Sequence, residues 1–109
     1  MMYKTGVPHT LHVDMLRLLP IIDFITSEKC GRTAIITSTT DGRHMSGSKH
    51  YKGLAVDLRT CDLPLDVQKT YYFCLNYALR KLCDVVFESD HIHVEYSPSE
   101  YRDWETGIS

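Results

Sequence analysis

Three side chains suited to binding a divalent metal lie in two polar clusters of the sequence. The stretch SGSKHYKGLAVDLRT places His50 seven residues before Asp57, and the later stretch SDHIHVEY carries His93. Imidazole and carboxylate groups are ligands that zinc prefers, and a catalytic zinc site usually offers three protein ligands and one position for water. The sequence therefore offers His50, Asp57 and His93 as candidate ligands of one zinc ion.

The second cluster is typical of a strand whose polar side chains share one face. Successive side chains of a strand point to opposite sides, so His91, His93 and Glu95 belong to the same face. Such a row would be costly against an apolar core without partners, and it therefore indicates a lined cleft. Spacing alone leaves open that these histidines are ordinary surface or core residues, because HxH pairs are common and a seven-residue His–Asp gap is a weak pattern.

The elements that must position these groups follow from hydrophobic periodicity and turn residues. The predicted segments are a helix over about 10–29, strands over 32–38 and 54–59, a helix over 64–82, and strands over 84–88 and 91–96. The last two strands are joined by a short connection, which predicts an antiparallel hairpin. This order indicates an α+β domain with a small, largely antiparallel sheet and two main helices.

Local signals refine this outline. Pro20 predicts a kink or break in the first helix, and Gly31 a stop just past its end. Residues 1–9 are predicted to be a polar lead-in, and Trp104 in the tail to pack back on the body. The apolar face of the second helix is expected to consist of Val67, Tyr71, Cys74, Ala78 and Leu82.

Composition bounds the class of protein. A chain of 109 residues with 43% hydrophobic residues suits one domain, 1–109. The net charge of -2 and the lack of a Lys/Arg run argue against binding to nucleic acid or to a membrane surface through bulk electrostatics. The four cysteines form no CxxC pair, so we expect reduced thiols that mostly pack in the core.

The N-terminal stretch has no apolar signal core, and no window approaches the ~18 apolar residues of a membrane span. We therefore expect synthesis in the cytoplasm. If the protein acts outside, another route must export it.

The central stretch resembles a known zinc-peptidase signature. SGSKHYKGLAVDL followed by HIH is similar to the SxHxxGxAxD…HxH pattern of D-alanyl-D-alanine carboxypeptidases and endolysin-type zinc peptidases, whose fold includes the hedgehog signalling domains. The likeness covers about residues 35–96 and implies a hedgehog/DD-peptidase-like fold with one Zn²⁺. The positions that agree are Ser48, His50, Gly53, Ala55, Asp57 and His93.

The resemblance also implies catalytic roles. It places an acidic general base three residues before the last zinc ligand in endolysin-like members, which is Asp90 here. Glu88, five residues before His93, is the alternative, near the six-residue offset of hedgehog-like members. His91 matches a histidine that stabilises the oxyanion or positions the substrate.

The loop before the first ligand is expected to contact substrate. Arg43 and His44 resemble a basic position that lines the cleft, where Arg43 would pair with a substrate carboxylate. Ser48 is expected to shape the ligand loop through local hydrogen bonds rather than to act as a nucleophile.

The activity implied by the resemblance is zinc-dependent hydrolysis of peptidoglycan stem peptides by metal-activated water, of D,D-carboxypeptidase or L-Ala-D-Glu endopeptidase type. The expected enzyme is a monomer that acts at the cell wall or periplasm if it is lytic, and it is similar to small phage-encoded peptidases. The alternatives are a non-catalytic zinc-stabilised module that binds a protein or peptide, and an α+β domain without metal.

Overall fold

A mixed five-stranded sheet forms the frame of the protein. The structure is a computed structural model and describes residues 1–40 and 52–98. Its elements in chain order are β1 (Met2–Tyr3), α1 (Val13–Leu16), α2 (Leu19–Cys30), β2 (Ile35–Ser38), β3 (Ala55–Arg59), α3 (Leu65–Leu79), β4 (Cys83–Phe87) and β5 (His91–Tyr96). The strand order is β1-β2-β3-β5-β4, with β1 parallel to β2 and the other pairs antiparallel. The predicted α+β class and the β4–β5 hairpin are confirmed.

Each central strand separates an apolar face from a polar face. In β3, Val56 and Leu58 are fully buried, and in β5, Ile92 and Val94 are fully buried. These side chains belong to one core cluster with residues of α2 and α3, so the helices cover this side of the sheet. The alternate residues of β3 and β5 must point to the opposite side. The polar residues of β5 therefore lie on the side of the sheet that faces away from the core.

The first predicted helix is broken where Pro20 indicated. α1 is a single turn, and α2 begins at Leu19 with Pro20 in its first turn. Proline is tolerated there because the first backbone N–H groups of a helix have no partner within it. Gly31 ends α2 in the left-handed conformation at φ 66°, and its N–H donates to the carbonyl of Ser27 at 3.1 Å.

The predicted apolar face of α3 was wrong in most of its members. The buried residues are Gln68, Tyr71, Leu75 and Leu79, whereas Ala78 and Leu82 are exposed and Val67 and Cys74 half-buried. α3 ends at Leu79, so Leu82 lies outside the helix. The buried face that contacts α2 is rotated about the helix axis relative to the predicted apolar face. Tyr71 belongs to both sets, and its hydroxyl lies 2.6 Å from Thr26 Oγ1. Burial raises the pKa of Tyr71.

The N-terminal lead-in contains a strand that the sequence pattern did not reveal. Met2 N–H donates to the carbonyl of Ala34, and Lys4 N–H to that of Ile36, both at 2.8 Å. A two-residue strand is too short to show the alternation by which strands are recognised. Its existence depends on pairing with β2, and it brings Lys4 to the sheet.

The four cysteines are in the thiol form, and Cys83 is the buried one among them. Cys30 and Cys74 are half-buried and Cys61 is exposed, so the expectation that the cysteines mostly pack in the core was wrong for Cys61. Among the residues that the structure describes, no helix has both the length and the apolar character needed to cross a membrane. The expected packing of Trp104 lies outside the described residues.

Two aspartates accept hydrogen bonds from residues that precede β2. Asp23 Oδ1 accepts hydrogen bonds from Ala34 N–H at 2.8 Å and Thr33 Oγ1 at 2.9 Å. Asp62 receives two hydrogen bonds from the Arg32 guanidinium. The backbone hydrogen bond from Ala34 lowers the pKa of Asp23, and the hydrogen bond from Arg32 lowers the pKa of Asp62.

These lowered pKa values predict a loss of stability in acid. Both carboxylates have an ordinary pKa near 3.8, so their stabilising effect is complete well above that value. It is lost as the pH falls through their lower folded-state pKa values. Because both groups are partly exposed, we expect about 0.5–1 kcal/mol from each. Urea unfolding at pH 6 and pH 3 should show that Asp62→Asn reduces this acid sensitivity. The exposed Asp84→Asn is the control and should keep the acid sensitivity of wild type. Equal acid sensitivity in wild type and Asp62→Asn would contradict a stabilising role for the Asp62 carboxylate.

Candidate metal centre

Two of the three predicted zinc ligands stand directly opposite each other on neighbouring strands. The antiparallel register of β3 and β5 pairs Asp57 with His93 and Arg59 with His91. Asp57 Oδ1 lies 3.1 Å from His93 Nδ1. Their side chains are 13% and 19% exposed, so this contact lies on the polar face of the sheet but is largely screened from water.

The contact belongs to a row in which carboxylates and imidazoles alternate. Asp90 Oδ1 lies 2.6 Å from His91 Nδ1, and His91 Nε2 lies 3.6 Å from Asp57 Oδ1. Beyond Asp57 follow His93 and then Glu95, whose Oε1 lies 3.1 Å from His93 Nε2. Asp90 is 72% exposed, so one end of the row opens to solvent while its centre at Asp57 is covered.

The geometry at His93 fits a metal ligand. Two atoms that each lie about 2.0–2.2 Å from a tetrahedral zinc ion are separated by about 3.3–3.6 Å. The observed Asp57–His93 distance of 3.1 Å is slightly shorter. A carboxylate on the other ring nitrogen is the usual outer partner of a zinc-bound histidine, and Glu95 occupies that place. If His93 Nε2–H donates to Glu95, a neutral ring presents the lone pair of Nδ1 toward Asp57. A cation between Asp57 Oδ1 and His93 Nδ1 would accept a lone pair from each of these two atoms.

The same contact also has a metal-free form. When both ring nitrogens carry protons, Nδ1–H donates to Asp57 and Nε2–H donates to Glu95. The hydrogen bond with Asp57 is the main reason that the pKa of His93 is raised, and Glu95 acts in the same direction. Partial burial of the ring opposes both effects. A proton and a metal ion are therefore alternative occupants of the space between Asp57 and His93.

The third predicted ligand lies outside the described residues. Across 1–40 and 52–98, no group of three or more His, Cys, Asp or Glu side chains is arranged to hold a metal ion. His50 falls in the segment between these ranges, as do the predicted substrate contacts Arg43, His44 and Ser48. The described part of the chain thus contributes the pair of Asp57 and His93, and the complete ligand set stays a prediction.

Gly53 fixes how the chain enters β3 just before Asp57. It has φ 71°, in the left-handed region that other residues avoid. Its carbonyl accepts a hydrogen bond from His12 N–H at 2.9 Å. A Cβ at this position would lie 2.9 Å from His12 N and 3.2 Å from Leu11 Cα. The glycine of the motif is therefore required by both backbone conformation and close packing.

An open cleft of about 360 Å³ adjoins the alternating row. Asp57, Asp90 and His91 line it, whereas Glu88 does not. Of the two acids that the sequence offered as general base, Asp90 is therefore the one at this cleft. The other residues at its wall are Lys4, Thr37, Ser38, Arg59 and Cys61.

Sequence reasoning missed two charged residues of this cleft. Arg59 follows Asp57 by two positions in β3, so strand alternation could have placed both on one face. Lys4 gave no such signal, because its position depends on the pairing of β1 with β2. The orienting contact of Glu95 with His93 was likewise not predicted, although the shared face of the two residues was.

Comparison with known proteins adds no relative from which a role could be transferred. No protein-family model matches the chain, and no curated protein or solved structure matches it. The likeness to zinc peptidases therefore depends on the motif residues alone.

Proposed function

We propose that the protein is a zinc-dependent peptidase that hydrolyses peptide bonds in peptidoglycan stem peptides. The observation that carries the proposal is the 3.1 Å approach of Asp57 Oδ1 to His93 Nδ1, with Glu95 behind the imidazole. The substrate class comes from the resemblance of the motif to D,D-carboxypeptidases and L-Ala-D-Glu endopeptidases. The cell wall is therefore the proposed place of action. The proposed form is a monomer.

His50, Asp57 and His93 would hold one Zn²⁺. When bound, zinc supplies a Lewis acid that polarises a carbonyl and lowers the pKa of water toward about 7. Among the three ligands only Asp57 is anionic, so its single charge would leave the centre with a net positive charge. Glu95 contacts Nε2 of His93 and so holds the ring with Nδ1 toward Asp57, the orientation in which Nδ1 could bind the metal.

In this proposal, Asp90 and His91 would transfer protons and stabilise developing charge. Asp90 lies at the exposed end of the row, next to His91. As general base, its carboxylate would take a proton from water and pass it to the leaving amine. Its 2.6 Å contact with His91 Nδ1 orients that ring so that Nε2 faces the cleft near Asp57. In its protonated form His91 would donate Nε2–H to the oxyanion of the tetrahedral intermediate.

Asp90→Asn is expected to separate catalysis from metal binding. Zinc content should stay near one ion per chain, because Asp90 is not among the proposed ligands, while hydrolysis of a muropeptide falls about 100-fold. Metal analysis and rate measurements on the same preparation provide both values. Glu88→Gln is the matched control and should keep the wild-type rate.

Full activity in Asp90→Asn would remove Asp90 from the mechanism. A loss confined to Glu88→Gln would transfer the role of general base to Glu88. If wild type retains zinc but cleaves no stem peptide, the non-catalytic binding module becomes the better account.

The function is tested by digesting purified peptidoglycan and identifying the products by mass spectrometry. We expect released D-alanine or free N-terminal D-glutamate, loss of these products with a chelator, and their return when zinc is restored. Identical digestion with and without chelator, or an unchanged digest in all samples, would contradict the proposal.

A further inference from the structure

Two cationic side chains of the cleft have no part in the chemistry proposed above. Lys4 follows β1 and Arg59 ends β3, and both line the cleft together with Asp57 and His91. Their backbones are fixed, since Lys4 N–H donates to the carbonyl of Ile36 at 2.8 Å. The carbonyl of Arg59 accepts from the guanidinium of Arg32 at 3.1 Å. Both cations are therefore presented from the sheet rather than from an isolated loop.

The neighbouring anions are already engaged elsewhere. Asp57 is in contact with His93, and Asp90 with His91. Within 1–40 and 52–98, neither the Lys4 ammonium nor the Arg59 guanidinium forms an ion pair or side-chain hydrogen bond. Arg59 contributes at longer range to the lowered pKa of Asp62. The wall of the cleft thus offers two positive charges next to the reacting groups.

We propose that Arg59 and Lys4 bind a carboxylate of the substrate and so select peptides with an acidic group close to the scissile bond. A guanidinium presents paired N–H donors that match the two oxygens of a carboxylate, and an ammonium adds a point charge. Stem peptides carry such carboxylates at their ends and side chains, so the substrate identity rests on the proposed function. Arg43, for which the sequence predicts the same kind of contact, lies outside the described residues.

The test compares the binding of N-acetyl-D-alanyl-D-alanine with that of its C-terminal amide. Calorimetry or NMR titration on metal-free protein measures recognition without hydrolysis, and the same pair is then compared as substrates of zinc-loaded protein. We expect the acid to bind about tenfold more tightly than the amide, as for one charge-assisted contact. Arg59→Gln and Lys4→Gln should each reduce this preference to about twofold or less.

Arg80→Gln is the matched control, because Arg80 caps α3 and its guanidinium lies over the ring of Tyr77 at 4.6 Å. It should keep the full preference for the acid. Thermal unfolding of each variant shows that the fold is retained. Lys4→Gln, at an exposed position, keeps the test valid if Arg59→Gln does not fold.

Equal binding of acid and amide by wild type, or a preference that survives in both glutamine variants, would overturn the inference. If stem peptides are cleaved without any such preference, the inference fails and the peptidase remains. If no peptide is cleaved but the Arg59-dependent preference persists, the carboxylate-binding cleft stands and the proposed function fails.

Discussion

Asp57→Asn is expected to abolish zinc binding and hydrolysis together. Asp57 is the only anionic residue among the proposed ligands, and its Oδ1 lies 3.1 Å from His93 Nδ1. An asparagine keeps the shape and can still accept the His93 N–H, but it brings no negative charge to a divalent ion. We expect zinc affinity to fall by more than about 100-fold and peptide hydrolysis to become undetectable. Metal analysis after dialysis and a chelator-competition titration measure this loss.

Two control variants give reference values for the loss of zinc affinity in Asp57→Asn. Glu95→Gln changes the outer partner of His93 and should weaken zinc by about 10–100-fold, less than the loss of the ligand itself. Asp84→Asn makes the same chemical change at an exposed position of β4 and should alter neither zinc content nor rate. Stoichiometric zinc in Asp57→Asn would mean that the ion, if one binds, is held elsewhere.

Gly53→Ala is expected to lower the free energy of unfolding by about 3 kcal/mol. Placing a non-glycine residue at φ 71° costs about 1–2 kcal/mol. The added methyl group would also lie 2.9 Å from His12 N, a backbone atom that cannot swing aside as a flexible side chain could. Overpacking of this kind typically costs a further 1–3 kcal/mol. Equilibrium urea unfolding with and without chelator measures the change.

Gly31→Ala separates the two contributions. Gly31 has a similar φ of 66°, but a Cβ there meets no atom within 4 Å. It should therefore show only the conformational cost, about 1–2 kcal/mol. If Gly53→Ala and Gly31→Ala destabilise the protein equally, the contact of Gly53 with the His12 backbone is not important. If Gly53→Ala leaves stability unchanged, the left-handed turn before β3 is not required.

Elements with a strong local pattern could be predicted from the sequence. The strand 91–96 has the bounds of β5, because alternation between Ile92 or Val94 and the polar residues is clear in the sequence. The break at Pro20 follows from the missing backbone N–H of proline. The shared face of His91 and His93 follows from the strand period, and burial of Ile92 and Val94 confirms it.

Features that depend on distant contacts could not be predicted. The pairing of Asp57 with His93 requires the register of two strands that lie far apart in sequence, and no local rule fixes that register. β1 forms only because it pairs with β2, so the position of Lys4 at the cleft could not be predicted from the local sequence. The buried stripe of α3 is set by its contact with α2 at Tyr71 and Thr26 rather than by helical period alone.

The central claim is that Asp57 and His93 share one zinc ion with a catalytic opening beside them. Diffraction from crystals of zinc-loaded protein, recorded at the zinc absorption edge, tests it directly. We expect one anomalous peak about 2.0–2.2 Å from both Asp57 Oδ1 and His93 Nδ1, with His50 as the third protein ligand and a position left for water. A peak away from this pair, or a fourth protein side chain closing that position, would contradict it.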